Sequence, residues 1–278
     1  MAKSLQEMKE RQRTNPDWII QGFLKRGNTA IVMGQPKKAC KSWLLLDLCW
    51  SLSEGKPVWG VKRADGTPVF PTQQMRSVYF TQEDTEDDIH DRILAHLKGG
   101  GREANDRLWI EPKNLQIAFD TVEGRKLIQA KLDEVRSKTG AIDLVVFDPM
   151  RRMHRGDEND SKTIVEMWAV LDRIHQRYGC ATMLTHHIRK PGQDKSGWDP
   201  TDPFVGRGSG DIYGGGDAFI NVVPGRGTEE SRIVGLFYES KRGKPLPPSQ
   251  LKVTFETGAV EYLGSGFEQQ KQEREVSL

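Results

Sequence analysis

The chain has 278 residues, of which 36% are hydrophobic and 29% charged, so it can form one large or two small globular domains with a sizeable core. Lysine and arginine outnumber aspartate and glutamate by only 41 to 39, so bulk charge does not indicate a nucleic-acid-binding protein and any basic surface must be local. No apolar run approaches the ~18 residues of a membrane span and no signal-peptide pattern is visible, so we expect a cytoplasmic protein with no membrane partner.

Apolar strands alternate with amphipathic helices from residue 28 to residue 187. The strands are predicted at 28–33, 77–80, 142–148 and 180–187, and the helices at 41–55, 83–100, 121–140 and 161–179. Alternation with helices of this length predicts right-handed βαβ units and a mainly parallel twisted sheet flanked by helices, an α/β fold.

The character of the sequence changes after residue 188. A stretch of about 28 residues rich in Gly, Pro, Asp and basic residues follows, too long for an ordinary connection, so it is either a functional loop or disordered. Four further strands, at 217–225, 232–243, 251–258 and 259–264, are typical of antiparallel hairpins. We therefore expect one domain over 17–263, a polar arm over 1–16 and a flexible tail over 264–278.

The segment MGQPKKACKSW, residues 33–43, resembles a phosphate-binding loop with altered glycines. The Walker A pattern G-x-x-x-x-G-K-[ST] packs backbone N–H groups around phosphate oxygens, yet its two glycine positions hold Gln35 and Cys40. Lys41 would reach the β- and γ-phosphates of ATP and Ser42 would hold Mg²⁺. The alternative is a basic turn before a helix. The predicted nucleotide-binding residues are Gln35, Pro36, Lys37, Lys38, Ala39, Cys40, Lys41, Ser42 and Trp43.

Carboxylates follow two of the predicted strands. In an open parallel sheet the carboxyl ends of the strands border the crevice that binds ligands, so Glu83 is a candidate to orient or deprotonate an attacking water. The alternative is that Asp84 or Thr85 caps the next helix and Glu83 complements its dipole. Asp148 ends a run of four apolar residues, as in a Walker B strand, and is predicted to bind Mg²⁺ together with Ser42.

Histidine and basic residues follow the last of these strands. His187, rather than His186, is placed to contact a γ-phosphate, although either histidine could be structural. The basic residues that follow the predicted strands 142–148 and 180–187 are candidates to bind a nucleic-acid backbone. The alternative is that they are solvated surface charge. These candidates are Arg151, Arg152, Arg155, Arg189, Lys190 and Arg207.

Together these segments resemble the RecA-like P-loop ATPases, and more closely the hexameric RepA-type replicative helicases of plasmids and phages. The resemblance is found in PKKACKSWLLLDLCWSL, VYFTQEDTEDDIHDRI, LVVFDPMRRMHRGDEN, LTHHIRK, GRGSG and ESKRGKP, in the family's order. It implies catalytic roles for Lys41, Glu83 and His187. It also implies that Lys241 and Arg242, with Arg207 in reserve, complete the site of a neighbouring subunit.

The resemblance further implies that the loops 149–162 and 189–210 contact single-stranded DNA. The main hypothesis is therefore an ATP- and Mg²⁺-dependent helicase or translocase that forms a homo-oligomeric ring of six subunits and acts in plasmid or phage replication. The alternatives are a nucleotide-binding DNA scaffold or regulator with little hydrolysis, and a small-molecule P-loop kinase.

Overall fold

A computed structural model describes residues 4–10, 17–99, 101–114, 116–188, 210–241 and 246–265. The helices are α1 Leu5–Glu10, α2 Lys41–Glu54, α3 Glu86–Lys98, α4 Val122–Thr139, α5 Ser161–Tyr178 and α6 Asp211–Gly215. The strands are β1 Trp18–Ile20, β2 Leu24–Lys25, β3 Thr29–Gly34, β4 Ser77–Thr81, β5 Leu108–Glu111, β6 Leu144–Asp148, β7 Ala181–His187, β8 Ala218–Gly227, β9 Ser231–Ser240, β10 Ser249–Thr254 and β11 Val260–Gly264. None of the described helices is both long and apolar enough to cross a bilayer.

Nine strands form one mixed sheet in the order β11-β10-β9-β8-β3-β7-β6-β4-β5, and β1 and β2 form a separate small hairpin. The six strands from β8 to β5 are parallel to one another, and β9, β10 and β11 extend the sheet antiparallel. The mainly parallel sheet with C-terminal antiparallel strands that the sequence predicts is confirmed. β3 lies near its centre, between two parallel neighbours.

Both faces of the central strands are buried because their side chains alternate between two cores. In β3, Ala30 and Val32 pack on the face covered by α2, whereas Ile31 and Met33 pack on the face covered by α4 and α5. β6 follows the same alternation. Strands buried on both faces need apolar residues at every position, which explains the uninterrupted apolar runs in the sequence.

The helix boundaries follow capping chemistry. The Thr85 side chain accepts from the Asp88 N–H while the Asp88 side chain accepts from the Thr85 N–H, a capping box that starts α3. At the C-terminal ends of α2, α4 and α5, a glycine adopts positive φ, as only glycine does without cost. The cap at Thr85 leaves Asp84 and Glu83 outside the helix.

The last four strands pair antiparallel in chain order, as the sequence suggests, and the first of them also joins the parallel part of the sheet. β8 pairs parallel with β3, with Gly34 opposite Val222, and antiparallel with β9. The sequence predicts the hairpin with β9, but the residues of β8 carry no information about its other neighbour. Most of the Gly- and Pro-rich stretch after residue 188, part of the arm and most of the tail lie outside the described residues.

Candidate functional site

A cleft of about 260 Å³ opens at the carboxyl edge of the parallel strands. The loops after β3, β4, β6 and β7 converge there because these strands are adjacent and parallel, with Gly34 opposite His187 and Thr81 opposite Asp148. The residues lining the cleft are Pro36, Lys37, Cys40, Lys41, Ser42, Trp43, Glu83, Asp84, Arg92, Asp148, Pro149 and His187.

The phosphate-loop candidate turns from β3 into α2 without a glycine at either standard position. Lys37 and Cys40 adopt the left-handed backbone conformation, with φ of 60° and 52°. The first bond of the helix runs from the Leu44 N–H to the Cys40 carbonyl at 3.0 Å, so the N–H groups of residues 41–43 precede it. The loop therefore presents the start of a helix to the cleft, which is a suitable position for an anion.

The ammonium of Lys41 lies within this turn. Its Nζ donates to the carbonyl oxygens of Gly34 at 3.1 Å and Gln35 at 3.4 Å, and lies 3.4 Å from His187 Nδ1. Burial lowers the pKa of Lys41 below its ordinary value, while Asp148 and Glu83 oppose the shift. Lys41 is thus held between the strand ends with little access to water.

Asp148 is buried at the end of β6 and is fixed by hydroxyl groups of both neighbouring strands. Tyr79 of β4 donates to its Oδ2, and Thr185 of β7 donates to its Oδ1. Each carboxylate oxygen keeps a second lone pair for another ligand. Ser42 lines the same cleft, so the candidate ligand atoms of these two side chains are all oxygen, which fits Mg²⁺ and its water shell.

The two carboxylates after β4 have different surroundings. Asp84 is buried and accepts both guanidinium nitrogens of Arg92, at 2.6 and 2.8 Å. Glu83 lines the cleft with a half-exposed side chain, and its Oε1 lies 4.0 Å from Arg152 Nε. Asp84 therefore has a buried bidentate ion pair, whereas Glu83 lines the cleft beside Arg152.

The basic residues after β6 lie beside the cleft. Arg151, Arg152 and Arg155 are exposed, and Arg151 Nε lies 3.9 Å from the buried carboxylate of Glu158. The other predicted nucleic-acid contacts, Arg189, Lys190 and Arg207, lie outside the described residues.

Lys241 follows β9 and lies at the edge of the sheet where the parallel strands begin, opposite the cleft. This placement follows because Ser240 pairs with the first residue of β8. Its Nζ donates to the carbonyls of Tyr213 and Gly214, both at 2.8 Å, so the structure does not bring it to the cleft of its own chain. Arg242, its predicted companion, lies outside the described residues.

Four side chains in or near the site were missed from the sequence, and one of them is Arg92, which lines the cleft. Tyr79 and Thr185 carry hydroxyl groups within otherwise apolar strands, close to the carboxyl ends. Such a residue in an apolar strand indicates a buried hydrogen-bond partner, here for Asp148. Arg232, from the antiparallel strand β9, donates to the Lys38 carbonyl at 3.4 Å and supports the phosphate loop. No local pattern in the sequence distinguishes Arg232 from other surface arginines.

Comparisons with known proteins give one family match and two structural neighbours. A family model described as AAA domain matches residues 3–193. The KaiC-like protein PH0186 of Pyrococcus horikoshii OT3 is similar with a TM-score of 0.51 and 12% identity over 88% of this chain and 93% of that chain. A DnaB-like replicative helicase, in a structure that reports its interactions with primase, is similar with a TM-score of 0.59 and 13% identity over 85% of this chain and 57% of that chain. No curated protein sequence matches.

Proposed function

The chain belongs to the AAA domain family and has the fold of the RecA-like P-loop ATPases related to replicative helicases, and from this premise we propose that it hydrolyses ATP to move on single-stranded DNA. The proposal includes a homo-oligomeric ring of six subunits that unwinds duplex DNA in plasmid or phage replication. The DnaB-like neighbour is a replicative helicase, but at 13% identity the likeness concerns the fold.

One observation supports the proposal most directly. The cleft gathers a cation, a hydroxyl-bearing residue, two carboxylates and a histidine from four separate segments, and phosphoryl transfer from ATP to water uses groups of these kinds. These are Lys41, Ser42, Glu83, Asp148 and His187. A basic turn that binds no ligand would not be expected to line one cleft together with both Glu83 and Asp148.

Each of these residues has a definite task in the proposed reaction. Lys41 neutralises charge that develops on the γ-phosphate, and its burial strengthens this interaction because the surrounding dielectric is low. Glu83 accepts a proton from the attacking water. Ser42 and Asp148 would hold Mg²⁺, which neutralises phosphate oxygens when bound. His187, 3.4 Å from Lys41, contacts the terminal phosphate and begins the segment that leads to the second DNA loop.

The DNA and ring parts of the proposal depend on two further observations. Three exposed arginines lie in the loop that follows Asp148, at positions 151, 152 and 155, so a DNA backbone bound there would lie one loop away from the phosphates. Lys241 lies at the opposite edge of the sheet from its own cleft, which suits a residue that completes the site of a neighbouring subunit. Arg242 would act beside it.

Steady-state ATP hydrolysis with and without single-stranded DNA tests the proposal. We expect DNA to raise the rate several-fold and Lys41→Ala to abolish it, while Lys138→Ala, which removes an exposed lysine paired with Glu134, leaves it unchanged. Gel filtration with a non-hydrolysable ATP analogue should give a hexamer. A monomer that hydrolyses ATP at the full rate would refute the ring, and hydrolysis unaffected by Lys41→Ala would refute the site.

The second candidate function is a DNA scaffold or regulator that binds ATP and hardly hydrolyses it. It is favoured by the altered loop, in which Pro36 has no N–H and Cys40 occupies a left-handed position usually given to glycine. Tight binding of a labelled ATP analogue without phosphate release would support this function against the motor.

A further inference from the structure

The loop that carries Arg151, Arg152 and Arg155 is tied at one end to the segment before α4. Oδ2 of Asp120 accepts from the backbone N–H of Arg155 at 2.7 Å and from that of Gly156 at 2.9 Å, a pair of bonds that we call the loop anchor. Hydrogen bonds to a carboxylate are roughly twice as strong as those between neutral groups. The loop anchor therefore joins two segments that lie 35 residues apart in the sequence.

The start of α4 holds Asp120 in place. The next residue, Thr121, is the N-cap of α4, and its side chain accepts from the Gly124 N–H at 3.0 Å. The carbonyl of the preceding residue, Phe119, accepts from Arg125 Nη1 at 2.9 Å. Both neighbours of Asp120 are thus bonded to the first turn of a long helix, so the carboxylate is a fixed point against which the loop can be ordered.

Arg155 lies between two further contacts of the loop. On one side Met153 is fully buried, and its carbonyl accepts from the Phe119 N–H at 2.6 Å. On the other side Gly156 packs on α5 so closely that a Cβ atom there would lie 2.6 Å from Thr163 Oγ1. The side chain of Arg155 itself is exposed. Its backbone is therefore fixed from both sides while its guanidinium faces solvent.

We propose that Asp120 is a positioning residue, which orders the loop so that Arg155 contacts the phosphate backbone of single-stranded DNA. This inference rests on the proposed DNA contact of the loop and specifies what presents it. Among the described residues no carboxylate lies within 4.0 Å of the Arg155 guanidinium, so its charge can pair with a phosphate. A loop that is ordered before binding loses less conformational entropy when the ligand binds.

The charge of Asp120 alone predicts the opposite effect on DNA binding. Asp120 places a negative charge next to a loop with three arginines, so its removal would strengthen the binding of a polyanion if only the electrostatic field mattered. The loop anchor predicts instead that removal weakens binding, because the ordering of the loop then opposes it. The direction of the change in DNA affinity therefore separates the two roles.

Fluorescence anisotropy of a labelled oligothymidylate, with the full-length chain, a non-hydrolysable ATP analogue and a fixed salt concentration, measures this affinity. Asp120→Ala should weaken DNA binding roughly five- to tenfold, whereas Asp120→Asn, which keeps an oxygen acceptor, should stay within about threefold of the wild type. Asp157→Ala is the matched control, because it removes an exposed carboxylate of the same loop. It should bind DNA as tightly as the wild type or more tightly.

Two further variants test whether Asp120 acts through the loop. Gly156→Ala leaves every charge in place and should also weaken DNA binding, because the new methyl group would displace the segment from Thr163. In an Arg155→Ala background, Asp120→Ala should change the affinity by less than about twofold. Without DNA, the amides of Arg155 and Gly156 should exchange hydrogen about tenfold faster in Asp120→Ala, while those of β6 exchange as in the wild type.

The outcomes distinguish this inference from the function on which it rests. DNA binding by Asp120→Ala as tight as that of the wild type or tighter, or unchanged exchange of the two amides, would overturn the loop anchor and leave the DNA contact standing. A loss of affinity that persists in full in the Arg155→Ala background would overturn the action through Arg155. A wild-type chain that binds no single-stranded DNA would overturn the DNA part of the proposed function and this inference together.

Discussion

Acidification from pH 7 to pH 5 should cost the fold about 2 kcal/mol through His96 alone. Burial, with further contributions from Arg102 and Arg92, lowers the pKa of His96 from 6.5 to about 4. The ring is 2% exposed and lies between Trp43 and Trp50. The unfolded chain therefore takes up a proton on this histidine at a pH where the folded chain does not.

The sign and the size follow from this difference. The stabilisation is complete above the unfolded pKa of 6.5 and is lost as the pH falls towards the folded pKa of about 4. One pKa unit corresponds to about 1.4 kcal/mol, so the full shift contributes roughly 3 kcal/mol, of which about 2 kcal/mol is lost between pH 7 and pH 5.

Urea unfolding at pH 7 and pH 5 measures the effect. Other groups also titrate in this interval, so the quantity of interest is the pH-induced change in wild type minus the change in His96→Gln, which we expect to be about 2 kcal/mol. His90→Gln replaces an exposed histidine of the same helix and should follow the wild type. Equal losses in wild type and His96→Gln would refute the reasoning.

Two stability predictions concern the frame of the cleft. Tyr79→Phe removes a hydroxyl donor from the buried carboxylate of Asp148 and should lower the free energy of unfolding by about 1–3 kcal/mol, measured by urea titration. An unchanged free energy of unfolding would mean that water replaces the phenol hydroxyl. Gly34→Ala would place a methyl group 2.9 Å from the Val222 carbonyl oxygen and should cost about 1–3 kcal/mol in the same assay. Gly210→Ala, whose new methyl would meet nothing within 4 Å, is the control, and a loss as large as that of Gly34→Ala would contradict the steric argument.

The central part of the fold is predictable because local signals agree there. Strands buried on both faces require continuous apolar runs, and α2 to α5 end in glycine or begin with capping side chains, so their positions follow from the sequence. Strand β5 was missed since its four residues are only half-buried at the sheet edge and have no distinctive pattern. The orientation of β8 depends on a long crossover rather than on its own residues.

The candidate site was predictable only in part, for a similar reason. Strand ends locate Glu83, Asp148 and His187, because parallel strands deliver their carboxyl ends to one edge. Arg92 reaches the cleft from a helix, and Arg232 reaches the phosphate-loop candidate from an antiparallel strand. Their partners are set by tertiary packing that no spacing rule describes.

The pairing of Gly34 with His187 in adjacent strands has a consequence for how such chains diverge and are detected. The position of Lys41 is set by this register and by the start of α2, so the lysine can stay in place when the intervening loop has no glycine at positions 35 and 40. A search that requires both glycines of the Walker A motif would overlook this protein. A search for a buried strand, a helix that begins with Lys-Ser and a nearby strand that ends in aspartate would find it.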